Sequence, residues 1–378
     1  MAIINYVTQI QFDFGASSLL QAECDRLGIR HPMVVTDAGV RAAGIVDQVL
    51  KHLRDPNVTI YDQTPPNPNE TAVRQAANQY RKGGFDGIIA IGGGSSIDLA
   101  KGVAICGTHE GPLRNFAVVE GGAERITAAT AQIIAIPTTA GTGSEVGRGA
   151  ILILEDGRKV GLLSPYLVPK SAICDPELTL SLPALMTAAT GMDAIAHCLE
   201  TFMSAAFNPP ADGIALDGLR RGWLNIERAT RNPDDREARM NMMSASMQGA
   251  LAFQKGLGCV HSLSHSLGGI DPRLHHGTLN KIFLPVVIEF NSDCDSMRQE
   301  HKLDRIAQTM QLKGPEEIGR AIQEMSDRLN LPKGLTELGV KRELFPQIIK
   351  GALADHTHKT NPRIASEEDY YWMLEQSL

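Results

Sequence analysis

Residues 85–104 read FDGIIAIGGGSSIDLAKGVA, and this stretch decides the fold of the first half of the chain. Residues 87–91 form a short, apolar, β-branched run, which predicts a buried strand. Glycines follow at 92–94, and Ser95 or Ser96 is placed to cap the next helix. Glycines let a backbone approach a ligand and a helix N-terminus offers free N–H groups, so the stretch predicts a pyrophosphate cradle. A ligand-free turn is the alternative, since neither G-x-G-x-x-G nor a P-loop ending is present.

Strands and helices alternate around this stretch. Further strands are predicted at residues 33–36, 58–61 and 132–136, helices at 40–53 and 69–82, and a hairpin at 149–154 and 159–163. Such alternation favours an α/β, Rossmann-like domain whose largely parallel sheet carries helices on both faces. From residue 183 onward the periodicity is helical, at residues 184–203, 211–227, 235–255 and 316–330. We therefore predict an α/β N-terminal domain at 1–179 and an all-α C-terminal domain at 180–378.

Composition indicates a globular enzyme and argues against several other classes. The 378 residues exceed one typical core, so two domains are expected. Hydrophobic residues make up 43%, the net charge is −7 and no basic stripe is present, so a nucleic-acid partner is not expected. We find no signal-peptide pattern and no apolar run long enough to span a membrane. Six scattered cysteines without a C-x-x-C motif favour reduced thiols and a cytoplasmic location.

Metal-capable side chains sit at helical spacing in the second half. They are Asp193 with His197, His261 with His265, and the adjacent His275 and His276. Residues four apart share one face of a helix, and two such faces can build a pocket for a divalent metal. One carboxylate with several imidazoles suits Fe²⁺ or Zn²⁺ better than Ca²⁺ or Mg²⁺. The alternative is that each histidine is an ordinary core residue. His356 and His358 lie outside this pattern and are predicted to be surface or cleft-rim residues.

Isolated residues of the first half are candidates for contacts with a dinucleotide. Asp37 ends the first predicted strand, where an acid accepts hydrogen bonds from a ribose and repels a 2′-phosphate, which favours NAD over NADP. Its alternative role is to cap the next helix. The loop at 137–145, PTTAGTGSE, follows a strand directly and offers hydroxyls and glycines to a ribose or phosphate. Lys159 is either a nucleotide contact or a solvated hairpin charge.

Together these motifs resemble the iron-containing (group III) alcohol dehydrogenase family, of the dehydroquinate-synthase-like superfamily. The resemblance runs from about residue 5 to Arg363. It is carried by VVTDAGV, PPNPN, GFDGIIAIGGGSSIDLAKGVA, IPTTAGTGSEV, GLLSPYLVPKSAICDPELTLSLP, TAATGMDAIAHCLET and GLGCVHSLSHSLGG with HHGTLN. The resemblance implies a cofactor domain, an all-helical metal domain and a cleft between them. It also implies a homodimer formed through an N-terminal strand edge.

The resemblance carries the family's site residues onto this chain. The metal ligands it implies are Asp193, His197, His261 and His276. His265 then corresponds to a position that lines the substrate site, so Asp193, His197 and His265 are the implied catalytic residues. The cofactor positions it implies are Asp37, Asn67, Gly93, Gly94, Ser95, Asp98, Thr138, Thr139, Thr142, Lys159 and Leu178. His275 stands where the family has proline, so either histidine of the pair is a candidate ligand, and the following glycine favours His276.

The implied activity is the NAD- and metal-dependent interconversion of a small alcohol and its aldehyde or ketone. In it Fe²⁺, or Zn²⁺ as the alternative, acts as a Lewis acid toward the substrate oxygen, and His265 relays the proton to solvent. Lys255 and Arg148 depart from the family pattern; as cations in the cleft they would favour a hydroxy acid, and surface charges are the alternative. Two other functions stay open, a metal-dependent lyase or cyclase of the dehydroquinate-synthase type and a non-catalytic NAD- or metal-binding regulator.

Overall fold

The computed structural model describes residues 8–378, and the chain divides into two compact units. The first unit reaches Thr139 and resumes at Gly143–Leu182, whereas the second contains Ala140–Thr142 and Pro183–Leu378. The division after residue 179 stays a prediction; in the structure the first unit extends to Leu182, and three residues of the loop at 137–145 belong with the helical unit.

The first unit is built on a six-stranded parallel sheet with the order β1-β8-β5-β4-β2-β3. The strands are β1 Gln9–Phe12, β2 Pro32–Val35, β3 Thr59–Tyr61, β4 Gly87–Gly92, β5 Ile133–Pro137, β6 Gly149–Ile153, β7 Lys159–Leu163 and β8 Ser171–Cys174. The fully buried β4 lies between β2 and β5, with Ile89 opposite Val34 and Ile134. β6 and β7 pair antiparallel as the predicted hairpin.

Helices cover both faces of the sheet. They are α1 Leu20–Leu27, α2 Ala38–Ala42, α3 Ile45–Leu50, α4 Glu70–Gly83 and α5 Gly94–Cys106. Ile88 and Ala90 of β4 pack with side chains of α4 and α5, whereas Ile89 and Ile91 pack with side chains of α1 and α3. Because successive side chains of a strand point to opposite faces, a sheet covered on both sides needs apolar residues at every position. This arrangement confirms the predicted α/β fold.

Three details of the first unit differ from the predictions. The helix expected at 40–53 is broken into α2 and α3, because Gly44 takes a left-handed φ of 75° between them. Strands β1 and β8 were not predicted, since QIQF and SAIC are short and lack a run of β-branched residues. Neither Ser95 nor Ser96 caps α5, whose N-cap residue is Gly93 without a side-chain hydrogen bond.

The second unit is helical, as predicted. Its helices are α6 Ala184–Met203, α7 Pro209–Arg231, α8 Arg236–Ala252, α9 Cys259–Ile270, α10 His276–Asn291, α11 Asp295–Gln299, α12 Lys302–Thr309, α13 Ile318–Arg328, α14 Phe345–Ala354 and α15 Glu367–Gln376. α6 packs against α7, α8 and α10, and α9 packs against α10 and α14. Among residues 8–378, none of the helices combines the length and apolarity that crossing a membrane requires.

Candidate metal and nucleotide sites

Four side chains of the second unit bring their metal-binding atoms together. Asp193 Oδ1 lies 3.7 Å from His197 Nε2, 3.9 Å from His261 Nε2 and 3.7 Å from His276 Nε2. The four ligand-type atoms all lie within 4.8 Å of one another. The His276 side chain is 23% exposed, and the other three are buried. One carboxylate and three imidazoles that converge in this way form a donor set for a divalent transition metal.

Helical spacing and one glycine produce this convergence. Asp193 and His197 lie one turn apart on α6, and His276 is the first residue of α10. A Cβ atom at Gly277 would collide with the carbonyl oxygen of Ala189 on α6. Glycine directly after His276 therefore allows α10 to approach α6 closely enough for the ligand atoms to meet.

Hydrogen bonds at Nδ1 direct the Nε2 atoms of two histidines into the cluster. His261 Nδ1 lies 2.5 Å from Glu200 Oε2, and His197 Nδ1 lies 3.3 Å from the carbonyl oxygen of Gly141. Burial lowers the pKa of His261 well below its ordinary value, which keeps this ring neutral. Burial also raises the pKa of Glu200 to about 7. An imidazole that donates from Nδ1 keeps its lone pair on Nε2, the tautomer that binds a metal.

His265 lies beside this cluster rather than in it. Its ring stacks on the ring of His276 with 5.4 Å between centroids, and its Nδ1 lies 3.1 Å from Asp355 Oδ2. Asp355 Oδ1 accepts hydrogen bonds from the backbone N–H and the hydroxyl of Thr357, at 2.8 and 2.6 Å. Although burial raises the pKa of Asp355, the facing His265 imidazole brings it below its ordinary value. Asp355 therefore occupies one ring nitrogen of His265 and leaves Nε2 to other partners.

The other predicted histidines lie in different surroundings. His275 is the N-cap residue of α10 and is absent from the four-residue cluster, so the structure brings His276, of the adjacent pair, to the other ligand atoms. His356 Nδ1 lies 3.5 Å from Asp355 Oδ1. The expectation that His358 is a surface or cleft-rim residue is wrong, because its side chain is buried and Nδ1 lies 2.9 Å from the hydroxyl of Tyr370.

The sequence pattern did not single out three polar residues around the cluster, Glu200, Asn280 and Asp355. Spacing could have found two of them. Glu200 lies seven residues after Asp193 on the same face of α6, and Asn280 lies four residues after His276 on α10. Asp355 follows the end of α14 and reaches His265 only through the tertiary fold, so no local signal identifies it.

In the first unit, the predicted nucleotide-binding residues gather where strands end. Asp37 follows β2, the triple-glycine turn begins at the last residue of β4, and Thr138 follows β5. β2 and β4 are neighbours, and the strand order reverses between them because β3 lies on one side and β5 on the other. Open parallel sheets bind nucleotides beyond the carboxyl ends of their strands, at such a reversal. The topology therefore suits a dinucleotide at this edge.

Asp37 already makes two contacts within the chain. Its Oδ1 accepts from the backbone N–H of Val40 at 2.9 Å, so the capping role is present. Its Oδ2 accepts from the Ser96 hydroxyl at 3.0 Å, which ties the end of β2 to the first turn of α5. A Cβ atom at Gly92, whose φ is 151°, would overlap the Ser96 side chain, so this turn requires glycine.

The remaining cofactor candidates take several structural positions. Gly93 and Gly94 are the N-cap and first residues of α5, and a Cβ atom at Gly93 would lie 3.2 Å from Thr139 Oγ1. Lys159 Nζ donates to Asn67 Oδ1 at 2.8 Å. Ser95 donates to the carbonyl oxygen of Pro66, and Asp98 accepts from the hydroxyl of Ser144 and the N–H of Ile151. Leu178 lies in the apolar core of the first unit, whereas Thr142 belongs to the second unit.

The structure argues against Lys255 as a cation for a substrate carboxylate. Its ammonium is buried, donates to Asp212 Oδ1 at 2.5 Å and to the carbonyl oxygen of Phe202 at 3.3 Å, and is therefore neutralised inside the unit. The alternative of a surface charge is wrong for the same reason. Arg148 is exposed in the first unit, as the surface-charge alternative expects.

A parallel sheet of nucleotide-binding topology and a buried aspartate–histidine cluster in a helical unit are expected of an enzyme that uses a dinucleotide and a divalent metal ion. The chain belongs to the iron-containing alcohol dehydrogenase family. The family model described as iron-containing alcohol dehydrogenase matches residues 7–176, and the model of the C-terminal part of the Fe-containing alcohol dehydrogenase family matches residues 187–378.

Individual relatives agree with this assignment. The chain is 60% identical to a 4-hydroxybutyrate dehydrogenase of Cupriavidus necator, over 100% of both chains. It is similar to the crystal structure of a 1,3-propanediol oxidoreductase, with a TM-score of 0.91, 34% identity and full coverage of both chains. A sulfoacetaldehyde reductase from Bifidobacterium kashiwanohense in complex with NAD⁺ matches with a TM-score of 0.88 and 26% identity, over 100% of this chain and 98% of that one. The predicted family, fold and alcohol dehydrogenase activity are thereby confirmed.

Proposed function

We propose that this chain interconverts 4-hydroxybutyrate, or a hydroxy acid of similar length, and the corresponding aldehyde, with NAD and one divalent metal ion. The convergence of Asp193, His197, His261 and His276 carries the proposal, because it supplies a site for an electrophilic cation. The substrate class is proposed from the 60% identity with a 4-hydroxybutyrate dehydrogenase over the whole chain.

The donor set fits the cation that the family name implies. Two of the imidazoles are held with Nε2 toward the cluster by Glu200 and Gly141, and the neutral state of His261 leaves its lone pair available. Three nitrogens and one carboxylate oxygen suit Fe²⁺, with Zn²⁺ as the alternative, since both accept this mixture of ligands.

When bound, the cation would supply Lewis acidity toward the hydroxyl oxygen, and NAD would supply the hydride acceptor. The chain's own residues hold and orient these groups. His265, fixed at Nδ1 by Asp355, offers Nε2 to the departing hydroxyl proton and takes part as the acid in the reverse direction. The burial of Asp193, His197 and His261 keeps bulk water from the ligand atoms.

NAD is proposed as the dinucleotide because Asp37 places a carboxylate at the end of β2, beside the glycine turn. A 2′-phosphate would meet this negative charge, which disfavours NADP. The relative that was solved with NAD⁺ supports the same choice.

The cellular location and the oligomeric state are proposed from the cysteines and from the edge of the sheet. All six cysteines are free, and five of them are buried, which suits a reducing cytoplasm. β1 lies at one edge of the sheet, where backbone groups are available to a second strand, so we propose a homodimer formed through this edge. Analytical ultracentrifugation of the purified protein tests the dimer directly.

A substrate comparison tests the proposed activity. The protein is stripped of metal, reloaded anaerobically with Fe²⁺ or with Zn²⁺, and assayed with NAD⁺ and 4-hydroxybutyrate, 1,4-butanediol or 1-butanol. We expect kcat/KM for 4-hydroxybutyrate to exceed that for 1-butanol by at least about tenfold, because recognition of a carboxylate adds a charge-assisted contact. NADH that accumulates in step with aldehyde excludes a lyase that recycles its NAD, whereas equal kcat/KM values would reject the hydroxy acid.

The adjacent histidines provide a matched test of the metal site. His276→Ala is expected to lose bound metal on dialysis and to lose turnover, because a ligand is removed. His275→Ala removes the same side chain one residue earlier and is expected to keep its metal. Metal content by mass spectrometry decides the outcome, and the reverse pattern would show that the four-residue cluster is wrongly assigned.

A further inference from the structure

Asn280 is buried among the proposed metal ligands and contacts three of them. Its Nδ2 lies 2.6 Å from Asp193 Oδ1, 3.1 Å from His261 Nε2 and 3.1 Å from His276 Nε2. An amide nitrogen carries only two hydrogens, so it cannot donate to all three of these atoms at once. At least one of the three ligand atoms therefore receives no hydrogen from this amide.

The oxygen of the same amide has no hydrogen-bond partner among residues 8–378. Asn280 is fully buried, and its Oδ1 is a buried oxygen without a hydrogen bond. A buried acceptor left in this state costs free energy, so something outside the described contacts is expected to use it. The amide is oriented by the ligand atoms alone, and turning it over breaks no hydrogen bond at the oxygen.

We propose that Asn280 is part of the metal centre. Its amino group faces the ligand atoms in this structure, and its carboxamide oxygen would turn toward a bound cation. A divalent cation would bind the same atoms of Asp193, His261 and His276 that now lie next to Nδ2, and its charge would repel the amino group. The inference rests on the proposed metal site and adds a protein oxygen to its donors.

A carboxamide oxygen among the donors changes which divalent cation the site binds most tightly. Oxygen donors suit harder cations, whereas imidazole alone suits zinc and copper at least as well as iron. Asn280 is therefore expected to shift the preference of a nitrogen-rich site toward Fe²⁺ and away from softer ions. His276 and Asn280 lie four residues apart on α10, so one helix face presents both donors.

Two substitutions of Asn280 distinguish the role of its oxygen from the role of its amino group. Asn280→Leu is close in size and removes both ends, whereas Asn280→Asp keeps oxygen and removes the amino group. Asn291→Leu is the matched control: Asn291 lies on the same helix, is fully buried and exchanges hydrogen bonds with Asn361 rather than with a ligand atom. For each full-length variant, the dissociation constants of Co²⁺ and Zn²⁺ are measured by competition with a chelator. The visible spectrum of bound Co²⁺ reports the number and kind of donor atoms, and melting of the metal-free protein reports folding.

We expect Asn280→Leu to bind Co²⁺ at least about tenfold more weakly, which is the loss of affinity typical when a group next to a metal is removed. The visible spectrum of bound Co²⁺ should also change. Asn280→Asp is expected to bind as tightly as the wild type or more tightly, while its metal-free form melts at a lower temperature because two carboxylates face each other. Asn291→Leu is expected to lower the melting temperature without changing metal affinity.

Other outcomes overturn the inference. Wild-type affinity and spectrum in Asn280→Leu would show that the amide only fills space. Asn280→Asp and Asn280→Leu could instead lose metal affinity equally. That result would show that the amino group acts through its hydrogen bond to Asp193 and that the oxygen does not bind the cation. If Asn280→Leu does not fold, Asn280→Asp alone decides by the same criterion. If the wild type itself binds no divalent cation, the proposed metal site fails, which is a different result from equal binding by wild type and variants.

Discussion

Glu200 Oε2 lies 2.5 Å from His261 Nδ1, and each of the two side chains is 1% exposed. The other carboxylate oxygen of Glu200 accepts from the backbone N–H of Val260 at 2.8 Å, so the carboxyl group is held at both ends. Residues of this kind, next to a ligand but not ligands themselves, fix the tautomer of a metal-binding imidazole and increase its basicity. Glu200 is therefore expected to support the proposed metal centre through His261 without being one of its ligands.

Glu200→Gln is expected to weaken metal binding by about tenfold to a hundredfold, because an amide is a weaker acceptor for His261 Nδ1–H than a carboxylate. Chelator competition with Zn²⁺ measures the change. Glu70→Gln is the matched control, since Glu70 is also buried and hydrogen-bonded but lies in the first unit. Equal metal affinity in Glu200→Gln and the wild type would refute a role in the centre.

The ligand cluster shows what the sequence can predict and why. Asp193 and His197 were found because helical spacing alone puts them on one face, and His276 because a glycine follows it. The contact of that glycine with α6 gives the physical reason for the motif. Asp355 could not be found, because its contact with His265 depends on how α14 packs against α9, and no local pattern encodes that packing.

The secondary structure elements could likewise be predicted where a local pattern determines them, but not where tertiary contacts do. Buried runs such as β4 and long helices such as α6 have strong local signals, and both were predicted close to their observed bounds. β1 and β8 are strands mainly because they pair with each other and with β5. Lys255 was misjudged for a similar reason, since only the tertiary structure brings Asp212 to its ammonium.

Asp355 is expected to act on turnover through His265. Asp355→Asn weakens the hydrogen bond that orients His265 Nδ1, and we expect kcat to fall by about tenfold or more with a smaller change in KM. A double-mutant cycle with His265→Ala supplies the check: adding Asp355→Asn to His265→Ala should cause little further loss. Asp175→Asn is the control, because Asp175 is likewise a buried carboxylate that caps a short helix. Additive losses would contradict the coupling.

Asp37 is expected to set the dinucleotide preference. Asp37→Ala removes the charge that opposes a 2′-phosphate, so the ratio of kcat/KM with NADP⁺ to that with NAD⁺ should rise. The same change removes the helix cap at Val40 and should cost about 1 kcal/mol of stability. Asp235→Ala removes a comparable cap from α8 and should leave the ratio unchanged. An unchanged ratio in Asp37→Ala would show that this carboxylate only caps the helix.

Glu145, in the loop after β5, is expected to make stability depend on pH. Burial raises the pKa of Glu145 from 4.5 to about 7, so between these values the folded protein binds this proton more tightly than the unfolded chain does. The favourable contribution is complete below pH 4.5 and is lost as pH rises through about 7, with a total on the order of 3 kcal/mol. Glu145→Gln cannot titrate and should show a flatter dependence of the melting temperature on pH across this range. Glu110→Gln, at an exposed glutamate, controls for the change in net charge. If Glu145→Gln and the wild type lose stability in parallel as pH rises, Glu145 does not carry the buried proton, and its carboxylate must be ionised and compensated inside the folded unit.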